Sequence, residues 1–283
     1  MKISLSTVIK DSNKLVAFPS VANELFAIID DDTSDAQIIA QVIQRDPSLT
    51  ASLLKLANSA WYMARHKVSC IEEAVVRIGM SDISKIALNI CVCDSLRDVP
   101  ENLLTLEDYF DHSLRCAFAA QEIARWSNIG KAGSIYTAGL LHDVGKIILL
   151  NLYPQESSQA IMMDLDEYNG IELQRCERKI FGFDHAQVGE QLAKEWGFPS
   201  VLQHCIRYHH APSETGEYKK EVYCTHLANT IAMLNELDSD DLSEAPRVEQ
   251  EVWVQINQEP ANVAKLIELT EAAYSSNKKM MEN

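Results

Sequence analysis

Apolar residues along the chain recur mostly at helical spacing, so the pattern predicts a run of helices. In "DPSLTASLLKLANSA", Leu49, Leu53 and Leu56 mark one helical face, and Asp46 followed by Pro47 supplies an N-cap and a first-turn proline. Ser34 precedes "DAQIIAQVIQR" as a second helix start. "SCIEEAVVRIGM" places Ser69 and Glu72 or Glu73 near capping-box spacing and ends at Gly79, and "SDISKIALNICVCDSL" follows it. Beyond the polar, proline-containing break "RDVPENLLT" comes a long helix, "LEDYFDHSLRCAFAAQEIARWS", whose alanines suit close packing on a neighbour. This break divides the chain into 1–104 and 105–283.

"SIYTAGLLHDVGKIILLNL" is apolar nearly all round, which predicts one buried helix ended by Tyr153 and Pro154. Further helices are predicted over "QESSQAIMMDLDEY", "GIELQRCERKIFG", "DHAQVGEQLAKEWG" with Asp184 as N-cap and Gly197 as stop, and "PSVLQHCIRYHH" opening at Pro199. Two more cover "EYKKEVYCTHLANTIAMLNEL" and "PANVAKLIELTEAAYSS". The one strand-like run, "VWVQI", is too isolated to build a sheet. The expectation is an all-α protein.

Composition narrows the function classes. A net charge of -16 over 283 residues repels a phosphate backbone, and no cluster of Lys and Arg offsets it, so general nucleic-acid binding is not expected. The seven cysteines lack CxxC spacing and lie mostly amid apolar residues, as buried reduced thiols do. "MKISLSTVIKDSNKL" has no signal-type apolar core, and no uncharged apolar run reaches about 18 residues. These features predict a cytoplasmic chain without a membrane anchor.

Chance alone gives about one His–acid neighbour in a chain of this composition, so the pair His142–Asp143 counts only through its setting. Burying an ionisable pair in an apolar segment without compensation costs several kcal/mol. On a regular helix, adjacent side chains diverge by about 100°, so compensation has to come from other segments. His112, His185 and the pair His209–His210 supply imidazoles from three of them, each near a predicted helix end. Imidazole with carboxylate suits Fe, Mn, Zn, Ni or Co, and the lack of thiolates argues against a structural zinc cage. His66 and His204 read as structural or surface residues, with His226 intermediate.

"HSLRCAFAAQEIA", "YTAGLLHDVGKIILL", "FDHAQVGEQLAKEWGFP" and "IRYHHAP", together with "DPSL" and "KLANSA" in the first half, resemble the HDOD domain, a relative of the HD and HD-GYP metal-dependent phosphohydrolases. The resemblance covers roughly residues 15–275. It implies a helical N-terminal subdomain packed with an HD-like helical bundle. It also implies a metal set of His112, His142, Asp143, His185, His209 and His210, holding one or two divalent transition-metal ions or none. Lys146 corresponds to the lysine that can meet substrate phosphate in the enzymes, so Asp143 and Lys146 are the catalytic pair of an active version. The sequence departs from the enzymes at Asn229, which stands where they carry a terminal Asp, and "GYP" is absent after "YHHAP". Asn brings no negative charge, which weakens metal affinity and water activation. The resemblance therefore implies a regulatory protein with weak or absent hydrolase activity, acting through a protein partner or a nucleotide. Its alternative is an active phosphohydrolase on a nucleotide or phosphodiester. A phosphate-cradling P-loop and a thiol nucleophile find no support in the spacing or in the surroundings of the cysteines.

Overall fold

The structure is a computed structural model that describes residues 3–12, 19–28, 35–59, 62, 67–96, 105–129 and 132–282, with backbone alone at 132 and 279–282. Among the described residues every regular element is a helix and none is a strand. Contacts within the chain define two compact units: residues 18–97 with 272–283, and residues 1–17 with 98–271.

The smaller unit holds α2 (Ser20–Ile28), α3 (Ala36–Ile43), α4 (Pro47–Ala57), α5 (Ile71–Ile78) and α6 (Met80–Leu96). The start of α4 is as its residues dictate: the Asp46 carboxylate accepts from the amides of Ser48 and Leu49, with Pro47 in the first turn. Leu49, Leu53 and Leu56 are all buried, each contributing about 1.5–3 kcal/mol by leaving water. Asn58 closes the helix. Its amide donates to Leu54 O and Val68 O at 2.8 and 2.9 Å, and its Oδ1 accepts from Val68 N at 2.7 Å, tying the chain on either side of the connecting loop.

Two caps differ from expectation. Ser34 lies outside the described residues, and α3 is capped by Asp35, whose side chain accepts from Ile38 N. The N-cap of α5 is Cys70, without a side-chain cap bond, so no capping box forms from Ser69. Gly79 does end α5, at φ 98°, a conformation glycine adopts without strain. Most of "WYMARHKV", including His66, is outside the described residues.

The larger unit holds α1 (Leu5–Ser12), α7 (Leu106–Ser127), α8 (Ala132–Leu141), α9 (Val144–Leu152), α10 (Pro154–Tyr168), α11 (Leu173–Phe181), α12 (His185–Glu195), α13 (Ser200–Tyr208), α14 (Lys219–Glu236) and α15 (Gln250–Gln255), and takes in the start of α16 (Val263–Glu282). "VWVQI" lies in and just after α15. Val252, Trp253 and Ile256 are buried while Val254 is exposed, a helical rather than an alternating pattern. All seven cysteines are free; five are buried, and Cys70 and Cys93 are half-buried.

The apolar segment is not one helix. The chain breaks at His142 and Asp143, and Asp143 takes φ -100° and ψ 10° before α9 begins. Its run Gly133–Leu152 is long and apolar enough to cross a membrane, but 83% of the relevant window is buried inside the protein, as in a core helix. Glycines let the neighbours come close. A Cβ on Gly139 would lie 2.7 Å from Cys116 O on α7, and one on Gly145 would lie 2.0 Å from His185 O and 2.6 Å from Gly189 N on α12. The backbone of α9 thus passes the start of α12 at the point where His185 is held.

Candidate metal centre

The break at 142–143 sets Asp143 among imidazoles from four directions. His112 comes from the second turn of α7, His142 from the end of α8, His185 from the first residue of α12, and His209 and His210 from just past the end of α13. Asp184 caps α12 with a full capping box to Gln187 and so fixes the turn that presents His185. Every candidate ligand read from the sequence lies in this cluster.

The carboxylate of Asp143 faces two groups of donors. Its Oδ1 is 3.2 Å from His185 Nε2 and 3.6 Å from His209 Nε2, while His185 Nε2 is 2.9 Å from His210 Nε2. Its Oδ2 is 3.6 Å from His142 Nε2 and 3.9 Å from His112 Nε2, and Lys146 Nζ forms an ion pair with it. The Nε2 atoms of His112 and His142 are 3.4 Å apart. Asn229 Oδ1 is 3.1 Å from His112 Nε2, so this residue of α14 reaches the centre.

Each of four rings is oriented by a bond at its other nitrogen. His142 Nδ1 donates to Gly139 O at 2.7 Å and His209 Nδ1 to Ile206 O at 2.8 Å. His185 Nδ1 donates to Glu177 Oε2 at 2.6 Å, and His112 Nδ1 to Glu236 Oε1 at 2.8 Å. All four therefore turn Nε2 inward, the arrangement in which an outer carboxylate or carbonyl fixes a ligating imidazole. Glu177, which also accepts from His185 N at 2.8 Å, and Glu236 are supporting residues that the sequence reading did not identify.

Electrostatics favour a cation. Burial pushes the Asp143 carboxyl upward, but the Lys146 ammonium and the surrounding ring nitrogens of His142, His185 and His209 outweigh it and hold the group well below the usual carboxylate range. Burial keeps His142, His209 and His210 neutral by lowering their pKa values. Burial opposes the charged form of His185 as well, yet the carboxylates of Glu177 and Asp143 raise it to about 10. A metal at that Nε2 would take the place of its proton.

The donor set fits a divalent transition metal. Asp143 Oδ1 and His209 Nε2 are buried without a hydrogen-bond partner, which is costly unless something else satisfies them. Donors sharing one ion at about 2.1 Å stand roughly 3–3.5 Å apart, close to the spacings above. The atoms fall into two groups that share Asp143: Asp143, His185, His209 and His210, and His112, His142 and Asp143, each group within 4.8 Å.

A cavity of about 570 Å³ opens onto the cluster, with Lys146 and Arg115 as its bases and Ile161, Leu165, Ile171 and Met233 among its apolar lining residues. His204 stands apart, its ring against Tyr208 and Tyr218. His226 is buried beneath the centre, with Nδ1 donating to His209 O at 2.7 Å.

Comparison with known proteins agrees with this picture. The HDOD domain profile matches residues 15–212. An uncharacterized protein of Treponema pallidum (strain Nichols) is 25% identical over 220 residues, 77% of this chain and 42% of that protein, so the chain spans less than half the length of this relative. Three solved structures share the fold. A candidate signal transduction protein of Marinobacter aquaeolei VT8 has a TM-score of 0.79 at 21% identity, covering 99% of this chain and 65% of its own. An HDOD domain protein of Geobacter sulfurreducens has 0.71 at 24% identity, covering 98% and 95%. A candidate phosphohydrolase of Shewanella amazonensis SB2B has 0.71 at 22% identity, covering 98% of each chain.

Proposed function

The chain belongs to the HDOD family, and from that premise we propose that it is a cytoplasmic signalling or regulatory module built on an HD-like metal centre, with weak or absent hydrolase activity. The observation that carries this reading is Asn229: the residue that the resemblance sets at the enzymes' last carboxylate brings a neutral Oδ1, 3.1 Å from His112 Nε2. The remaining donors support binding of a divalent transition metal, Fe, Mn, Ni, Co or Zn, through His112, His142, Asp143, His185, His209 and His210.

When bound, such an ion supplies water activation and polarisation of a phosphoryl oxygen. The chain's own part is to hold the imidazoles by their Nδ1 atoms, to exclude bulk water from Asp143, and to present Lys146 and Arg115 beside apolar side chains in the adjoining cavity. The cavity is also lined by the carboxylates of Asp108, Asp111, Asp164 and Glu236, and Lys146 is paired with Asp143, so a nucleotide would enter together with a divalent cation, and its binding would alter the surface offered to a protein partner.

The placement of Lys146 at the rim of the cluster favours a second reading, an active phosphohydrolase in which Asp143 and Lys146 are the catalytic pair. Two measurements on the purified chain separate the two readings. Elemental analysis with His142→Ala as control tests the centre, and phosphodiesterase and nucleotidase assays with added Mn or Fe test the chemistry. Metal lost in the variant with no turnover in either protein is the expected result. Turnover in the wild type that vanishes in His142→Ala would overturn the regulatory reading.

A further inference from the structure

The two halves of the centre are unequal. We propose that it binds one divalent ion tightly, on the Oδ1 side of Asp143, and that the Lys146 ammonium occupies the electrostatic place of a second ion on the Oδ2 side. This rests on the metal reading above and makes it specific.

On the Oδ1 side the nearest group to the carboxylate oxygen is His185 Nε2 at 3.2 Å, whose proton a bound ion would displace, and neither Oδ1 nor His209 Nε2 has a hydrogen bond of good geometry. Three imidazoles, His185, His209 and His210, share that space, and Glu177 stands behind His185 at 2.6 Å to support its basicity. The half-site offers four donors and leaves buried atoms that need a cation.

On the Oδ2 side the oxygen already has one. Lys146 lies three residues after Asp143 in the first turn of α9, its amide donates to Asp143 O at 2.8 Å, and its ammonium pairs with Oδ2. Only two imidazoles, His112 and His142, complete this half, at 3.9 and 3.6 Å from the oxygen. Its other oxygen donor is the neutral Asn229, and Glu236 is engaged at the far nitrogen of His112. A divalent ion here would share one carboxylate with the ion opposite and face an ammonium tethered to the same turn. Like charge and a missing carboxylate both act against it.

The test is a count. The full chain, stripped with chelator, is titrated with Mn(II) by calorimetry, and bound metal is read by elemental analysis after dialysis. The expected wild-type result is one tight ion per chain and a second weaker by about tenfold or more. His209→Ala loses the tight ion, whereas His112→Ala keeps it. Lys146→Met keeps the aliphatic stem without the charge and strengthens the second ion by about tenfold. Lys146→Gln does the same, so that if circular dichroism shows one Lys146 variant misfolded the other decides, and Asn229→Asp, with Lys146 intact, separately tests the missing carboxylate. Two ions of equal affinity in the wild type would overturn the asymmetry while leaving metal binding intact. A second ion unmoved in a folded Lys146 variant would overturn the role of Lys146. No ion in the wild type would overturn both this proposal and the metal reading beneath it.

Discussion

Helix α4 and the helical pair α8–α9 both carry apolar residues into a core, yet they bury different things. In α4 the buried side chains are Leu49, Leu53, Leu56 and Ala57, and no polar side chain of the helix is fully buried. In α8–α9, Thr137, His142 and Asp143 are buried beside Leu140, Leu141, Ile147 and Ile148. A core of the first kind needs volume and apolarity, and tolerates exchange at a cost set by the space left behind. A core of the second kind needs particular atoms at particular distances, because each buried polar group is expensive without its partner. The difference separates residues that hold the fold from residues that the fold holds in place.

The sharpest break of that distinction is Gly145→Ala. The added carbon would fall 2.0 Å from His185 O, a backbone atom, so α9 and α12 have to move apart and His185 moves with them. Stability is expected to drop by about 3 kcal/mol or more, with bound metal lost at the same time. A thermal melt and elemental analysis of one preparation check both. A stable protein lacking metal, or a destabilised one retaining it, would show that the crossing and the centre are not coupled.

The converse is Leu53→Ala in α4. Leu53 is fully buried, so the cavity and lost transfer energy cost about 2–5 kcal/mol. Because α4 supplies no residue to the centre, metal stoichiometry in the fraction that remains folded is expected to stay at the wild-type value. Denaturant melts give the stability and elemental analysis the stoichiometry.

The sequence shows these two kinds of core unequally. The stripe of α4, its Asp46–Pro47 start and the Asp184 cap of α12 are local patterns, and all stand in the structure. The gathering of His112, His142, Asp143, His185, His209 and His210 was also legible, because an ionisable pair in an apolar run demands partners and few histidines were available. The break at 142–143 was not, since no proline or glycine stands at those two positions and apolar residues continue on both sides. Nor was the crossing at Gly145, which depends on a backbone from a distant segment. Glu177 left a faint signal: Glu177 and Phe181 fall at i and i+4 of α11 and both are buried, so a carboxylate shares the inward face with an aromatic ring. Glu236 pairs with a residue 124 positions away and left none.

The smallest expected effect is in the pH dependence, and it sharpens the comparison from the buried polar side. Burial lowers the pKa of His226 to about 4, although carbonyls of His209 and Arg247 pull the other way. In the unfolded chain a histidine titrates near 6.5. Between these values the unfolded state takes up a proton that the folded state refuses, so stability falls as pH falls through this window. For this residue the loss is on the order of 1 kcal/mol between about pH 7 and about pH 5.5. His226→Gln still donates to His209 O but binds no proton, so its stability should decline less steeply than the wild type's over the same interval. Leu53→Ala should lower stability by a similar amount at both pH values. Denaturant melts with chelator present, at both pH values, compare the three proteins. Parallel wild-type and His226→Gln curves would mean that this ring is protonated as readily inside the fold as outside it, and that the polar core beneath the centre is wetter than its burial implies.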